Sequence, residues 1–215
     1  MSEETEMPAE KPQSMKINAK KFNLAGSVVI DGEINNQLGI GIHSQFETAV
    51  QSALKLNRNH VQLIIDSYGG STNILSKIIS AMQIHRPNPE FKYVGFAAGS
   101  CYSSAFILLQ HCDWRVALNS STFLSHYGNV HLINSSFSAL LSETETFLDV
   151  YSSMASYPFD AVMRRSGQSF ETLKRLADIN ISISAKRALE YNFIDEIIDC
   201  VPEKSTKVDL VLGFK

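Results

Sequence analysis

The sequence predicts an α/β fold with a largely parallel sheet in a single domain, and three observations carry the prediction. Short β-branched runs alternate with helical stretches along most of the chain, the pattern that successive βα units produce. The 215 residues suffice for one core that buries ~70% of the unfolded surface. After the first fifteen residues no repeat, low-complexity tract or Pro/Gly-rich linker divides the chain. Residues 1–15 therefore read as a disordered acidic tail and 16–215 as one domain.

Each element has its own warrant. Met1 to Ser14 is acidic, contains proline and nearly lacks large apolar side chains, without the basic start and apolar middle of a secretory signal. Ser27-Val-Val-Ile-Asp and Val61-Gln-Leu-Ile-Ile-Asp are β-branched runs and predict strands, followed by helices over about Leu38–Leu56 and Thr72–Ile84. Lys92–Ala98 predicts a third strand and Ser103–Gln110 a helix. Trp114-Arg-Val-Ala-Leu and Thr122-Phe-Leu-Ser predict two short strands. Tyr93 to Gln110 carries no charge, but its β-like and helix-like halves fit a buried strand, turn and helix better than a membrane span. From Asn134 to Arg164, apolar residues at helical spacing (Phe137, Leu141, Leu148, Tyr151) occupy more than one side. A helix of that kind needs cover, and a partner subunit would supply it. Helices at Ser169–Ala177 and Ser184–Tyr191 and strands at Ile194–Asp199 and Val208–Leu212 complete the prediction.

Composition excludes several classes. Nineteen Lys and Arg against 22 Asp and Glu leave a net charge of −3, and the pI is near 6.1, so the basic footprint of a nucleic-acid binder is missing. Three cysteines, Cys101, Cys112 and Cys200, show no CxxC spacing, which argues against a disulfide framework or zinc ribbon and for a reducing, cytoplasmic setting. His111-Cys112-Asp113 and the pair His126 and His131 look superficially like metal ligands. Adjacent side chains diverge, and a five-residue helical offset separates faces, so no metal and no cofactor is expected.

Chemistry concentrates where strand ends meet glycines and hydroxyls, at Asp66-Ser-Tyr-Gly-Gly-Ser and Gly99-Ser-Cys-Tyr-Ser-Ser-Ala. Turns after strands in α/β folds bring ligands to helix N-termini, and Gly69-Gly70 lets backbone N–H groups approach a substrate without a Cβ between them. A serine at a strand-to-helix turn with a histidine some twenty residues on suits a nucleophile and its general base. Ser103 and His126 fit that description. Spacing alone does not choose among Ser100, Ser103 and Ser104, or among His111, His126 and His131. Cys101, near the same turn, is expected to pack inward.

Six segments in order narrow the choice: Val28-Val-Ile-Asp-Gly-Glu-Ile-Asn, Ile64-Ile-Asp-Ser-Tyr-Gly-Gly-Ser, Gly99-Ser-Cys-Tyr-Ser-Ser-Ala-Phe, Ser121-Thr-Phe-Leu-Ser-His, Ser166-Gly-Gln-Ser-Phe-Glu and Ser184-Ala-Lys-Arg-Ala-Leu-Glu-Tyr-Asn-Phe-Ile-Asp-Glu. Taken together, Val28 to Asp199 resembles the proteolytic subunit of the ATP-dependent Clp protease, in the superfamily that includes the crotonases. The resemblance implies stacked ββα units with a long protruding handle helix, here about Asn134–Arg164, and a homo-oligomer built as a double ring of seven subunits. It implies a serine endopeptidase that cleaves unfolded polypeptides or peptides inside a chamber, with an AAA+ unfoldase as partner and neither nucleic acid nor membrane.

Carried over by position, the resemblance makes Ser103 the nucleophile and His126 the base, with the N–H groups of Gly70 and Ser104 as oxyanion hole. The third triad member departs from the pattern, because the family's aspartate falls on Asn180. An asparagine carbonyl accepts the histidine's Nδ1–H but gives the imidazolium no charge stabilisation, and an Asp-to-Asn change in a serine protease costs ~10⁴ in turnover. Asp178 is the substitute if the loop shifts. Tyr68 stands where the family has proline, and Met1 to Ser14 does not match the family's axial loops. The alternative function is a weak or inactive subunit that supports assembly with an active paralogue. A crotonase-like acyl-CoA enzyme and a membrane-associated Ser-Lys peptidase are the remaining relatives; the first needs no Ser-His pair and the second needs a lysine at Ser103.

Overall fold

The computed structural model describes residues 26–126 and 159–199. Strand β1 (Ser27–Ile34) is followed by a short helix α1 (Asn36–Gly39), helix α2 (Ile42–Lys55), strand β2 (His60–Gly70) and helix α3 (Thr72–Ile84). Strand β3 (Lys92–Tyr102) leads into helix α4 (Ser104–Gln110) and strands β4 (Trp114–Leu118) and β5 (Thr122–Leu124). Residues 159–166 are helical. Helix α5 (Phe170–Ile179), strand β6 (Ile183–Ser184), helix α6 (Ala185–Glu190) and strand β7 (Glu196–Ile198) complete the described chain.

The sheet runs β1-β2-β3-β4-β7, with β5 on β3 and β6 on β5. Every pair but β5–β6 is parallel, as strands separated by helices require. The helices bury one face against it. In α2 that face is Ile42, Phe46, Ala49, Val50 and Ala53, and in α3 it includes Ile74, Leu75, Ile78 and Met82, both at i, i+3/i+4 spacing. All seven residues of α4 are buried, because this helix packs beneath the sheet's centre. Arg115 on β4 is 2% exposed. It bonds both carboxylate oxygens of Asp195 at 2.7 and 3.0 Å and Gln110 Oε1 at 2.6 Å, the pairing that a buried charge needs.

Two corrections bear on the site. The predicted helix Leu38–Leu56 is divided, because Gly41 adopts φ 77° between α1 and α2 and the Asn35 side chain caps α1 by accepting the N–H groups of Gln37 and Leu38. More consequentially, the two glycine- and serine-rich segments read as turns are extended strand over most of their length, which leaves Ser103 as the turn into α4. β2 continues to Gly70 and β3 to Tyr102. Register shifts between Asp31 and Glu33 and between Ile65 and Ser67 let each strand bend and keep pairing. β3 thereby changes neighbours, pairing with β4 over Val94–Ala97 and with β5 over Ser100–Tyr102. The predicted strand Ile194–Asp199 contracts to β7, since Asp195 is drawn to Arg115. Apart from 159–166, the predicted handle helix lies outside the described residues, as do the tail and the strand Val208–Leu212.

Candidate active site

Ser103 stands between β3 and α4 with φ 53° and ψ −124°. A non-glycine residue there carries ~1–3 kcal/mol of strain and persists only where its surroundings over-determine it. They do so here. The Ser103 N–H donates to Leu124 O at 2.8 Å and its carbonyl accepts the Ile107 N–H at 3.1 Å. The Ser104 hydroxyl donates to Gly70 O at 2.8 Å, fastening the head of α4 to the end of β2.

The glycine pair explains how closely these elements meet. A Cβ on Gly69, whose φ is 91°, would lie 2.7 Å from both Ser103 Cβ and Tyr102 O and 2.9 Å from Ser104 N. Gly70 has φ 145°, and a Cβ there would collide with the Ile34 carbonyl. Bare backbone is therefore required on β2 beside the Ser103 turn. Ser67 Oγ, fully buried, accepts the Gly69 N–H at 3.0 Å and holds this end of the strand in place. Ser104 opens α4, so its N–H has no partner within the helix.

The structure thus brings Ser103, Ser104, Gly69 and Gly70 together. The bond from Ser103 N–H to Leu124 O also sets the end of β5 against the turn, and half-buried His126 follows two residues later. Asn180 is exposed and ends α5 in the left-handed region, φ 51° and ψ 41°, its N–H donating to Leu176 O and Ala177 O. Among non-glycine residues asparagine is favoured in that conformation, so the residue has a local reason to be there. Asp178 is exposed and paired with Lys174 at 2.9 Å. Among the described residues no hydrogen bond joins Ser103, His126 and Asn180. The chain after Asn180 returns as β6 to pair with β5, Ile183 opposite Phe123.

Neighbouring nucleophiles and bases are set apart. Cys101 is fully buried, and burial foremost, then the charges of Cys112 and Asp66, pushes its thiol well above the ordinary range, which leaves it inert. The expectation that it packs inward holds. Burial, with Arg164 adding to it, lowers the pKa of His111, whose Nε2 is enclosed without a hydrogen-bond partner among the described residues. His131 lies outside the described residues. No group of three metal-ligating side chains occurs among the described residues.

Three groups near Ser103 had no role assigned by the sequence: Asp66, Tyr68 and Tyr102. Tyr68 and Tyr102 meet edge to face at 5.6 Å, and Tyr102 Oη shares a 2.8 Å hydrogen bond with Thr122 Oγ1. Asp66 Oδ1 accepts the Ser100 N–H at 2.8 Å. The only signal for them was alternation, which puts residues 66, 68 and 70 on one face once the segment is a strand rather than a turn.

A family model described as Clp protease matches residues 12–201, a span that includes every element above. The chain belongs to the Clp protease family. A search of curated proteins gives no match. Its mixed α/β architecture of sheet and packed helices is consistent with the Clp protease fold. Membership in the Clp protease family makes it a peptidase, a hydrolase of a family that assembles into oligomers and acts on peptides. The match begins inside the segment read as a tail. Among the described residues no helix is long and apolar enough to cross a membrane.

Proposed function

We propose that this chain is a serine endopeptidase of the Clp type, and the backbone of Ser103 carries the reading. In a strained nucleophile turn between strand and helix the hydroxyl is exposed and the following N–H groups face the same space; the φ of 53° at Ser103, between β3 and α4 and against Gly69, supports that reading. Ser103 Oγ attacks the peptide carbonyl and His126 takes its proton. The N–H groups of Gly70 and Ser104 hold the oxyanion, and His126 returns the proton to the leaving amine. Water then hydrolyses the acyl-enzyme by the same route. Asn180, or Asp178 in its place, orients His126. By family resemblance the sites line the chamber of a double ring of seven subunits in the cytoplasm, fed with unfolded chains by an AAA+ unfoldase.

The second reading, a weak or inactive subunit, is favoured by one observation: Asn180 serves as the left-handed cap of α5 and carries no charge. Fluorophosphonate labelling of the purified, size-resolved protein, with the modified residue mapped by mass spectrometry, separates the two. The expected result is label on Ser103 of the assembled protein, lost in Ser103→Ala together with peptide cleavage while oligomer size stays the same. An assembled ring that takes no label would refute the peptidase reading and select the second. Asn180→Asp is expected to raise turnover; an unchanged or lower rate would reassign the orienting role.

A further inference from the structure

We propose that Asp66, Tyr68 and Tyr102 form a subsite for a basic substrate side chain, arginine above lysine, flanking the scissile bond; the proposal rests on the peptidase reading above. Asp66 and Tyr68 are exposed, with buried Ser67 between them, so alternation sets both on the solvent face of β2. Tyr68 is 71% exposed, unusual for a side chain of its size and aromaticity. It is not loose: its ring meets Tyr102 edge to face at 5.6 Å, and the Tyr102 hydroxyl is tied to Thr122 at 2.8 Å. The aromatic surface is therefore held in place beside the turn, Tyr102 being covalently next to Ser103 and Tyr68 next to Gly69, which abuts Ser103 Cβ.

The carboxylate is fixed too. Asp66 Oδ1 accepts the Ser100 N–H at 2.8 Å, and the group lies over Gly99, where a Cβ would come within 2.7 Å of all three carboxyl atoms. No hydrogen-bond donor engages Oδ2 among the described residues. A negative oxygen and an exposed π-face, carried by residues whose Cα atoms lie about 7 Å apart at the strand rise, together suit a guanidinium. The cation can stack on the ring while an N–H reaches the carboxylate. An acidic side chain would meet repulsion, and an aliphatic one would leave Oδ2 without the partner. Tyr102 adjoins Ser103 and Asp66 bonds Ser100, three residues before it, so this surface runs back about 10 Å from the turn at the strand rise, a length that two to three residues of an extended peptide beside the attacked carbonyl span.

The test uses the assembled protein and fluorogenic peptides identical except for arginine, norleucine or glutamate at one position, walked along both sides of the scissile bond. Fluorophosphonate titration counts active sites. At one position arginine should exceed norleucine roughly tenfold in kcat/KM, and glutamate should fall below both. Asp66→Asn keeps an acceptor for the Ser100 N–H but removes the charge, and Tyr68→Ala removes the ring. Each should reduce the arginine-to-norleucine ratio several-fold, chiefly through KM, and added salt should erode it only while Asp66 is present. Cleavage with no arginine preference at any position, or a preference that survives both substitutions, would overturn the subsite and leave the peptidase reading standing. A wild-type ring that neither labels nor cleaves would overturn both.

Discussion

Replacing Ser103 by glycine and by alanine separates the chemistry of the hydroxyl from the strain of the backbone. Both variants lose the nucleophile. Alanine keeps the Cβ that makes φ 53°, ψ −124° unfavourable, whereas glycine enters that region freely. Strain of ~1–3 kcal/mol is released, offset by the ~0.5–1 kcal/mol that glycine's greater unfolded freedom costs. The small contact of Ser103 Cβ with Gly69 is also lost. Ser103→Gly should therefore be the more stable of the two by about 1 kcal/mol, which for a chain of this size corresponds to roughly 2–4 °C in Tm. Urea and thermal unfolding of size-resolved protein give the comparison directly. A glycine variant equal to or less stable than the alanine one would mean that the turn stores no strain at this residue, and the structural basis for singling out Ser103 over Ser100 or Ser104 would fall with it.

Two further outcomes follow from the same geometry. Gly69→Ala puts a Cβ 2.7 Å from Ser103 Cβ and Tyr102 O at a φ of 91°, so overpacking and left-handed strain should together cost ~3 kcal/mol and displace Ser103. The urea midpoint and the fluorophosphonate labelling rate should both fall, and a variant that unfolds and labels like the wild type would contradict the close approach. At high pH the protein should lose stability, because burial above all pushes the Cys112 thiol from 9.0 up to about 12 and the Tyr93 phenol from 10.0 up to about 12. The native state then holds protons that the unfolded chain releases, so stability is full below pH 9 and falls as pH rises toward 12. Cys112→Ala should flatten that fall by at most ~1.4 kcal/mol per pH unit, measured by urea unfolding across the range; an unaltered slope would show that the thiol is not the linked group.

Much of the fold was legible because it depends on local pattern. The helix predicted over Thr72–Ile84 and the strand Trp114–Leu118 coincide with α3 and β4, since apolar periodicity alone decides which face an element buries. The order of strands and helices carried the parallel sheet for the same reason. Ser103 stood out as one of three serines at a strand end, and Gly69-Gly70 as a place where backbone could approach. What periodicity could not show was that β2 and β3 bend at register shifts and run on. A bulge is set by which neighbour a strand finds, and β3 finds β4 first and β5 afterwards.

The amino-acid sequence by itself determined the architecture, the cast of candidate residues and the family pattern they follow, all properties of order and spacing. Only the tertiary structure decided that Gly69 lies against Ser103, that Ser103 is the residue held in a strained turn, that Asn180 caps α5 in the left-handed region, and that Asp66 shares its face of β2 with a ring braced by Tyr102. Those relations join residues more than thirty positions apart, or fix a φ that many side chains could occupy, and neither is encoded in local preference. They arise where non-local pairing imposes on the backbone a geometry that no residue in it would choose alone.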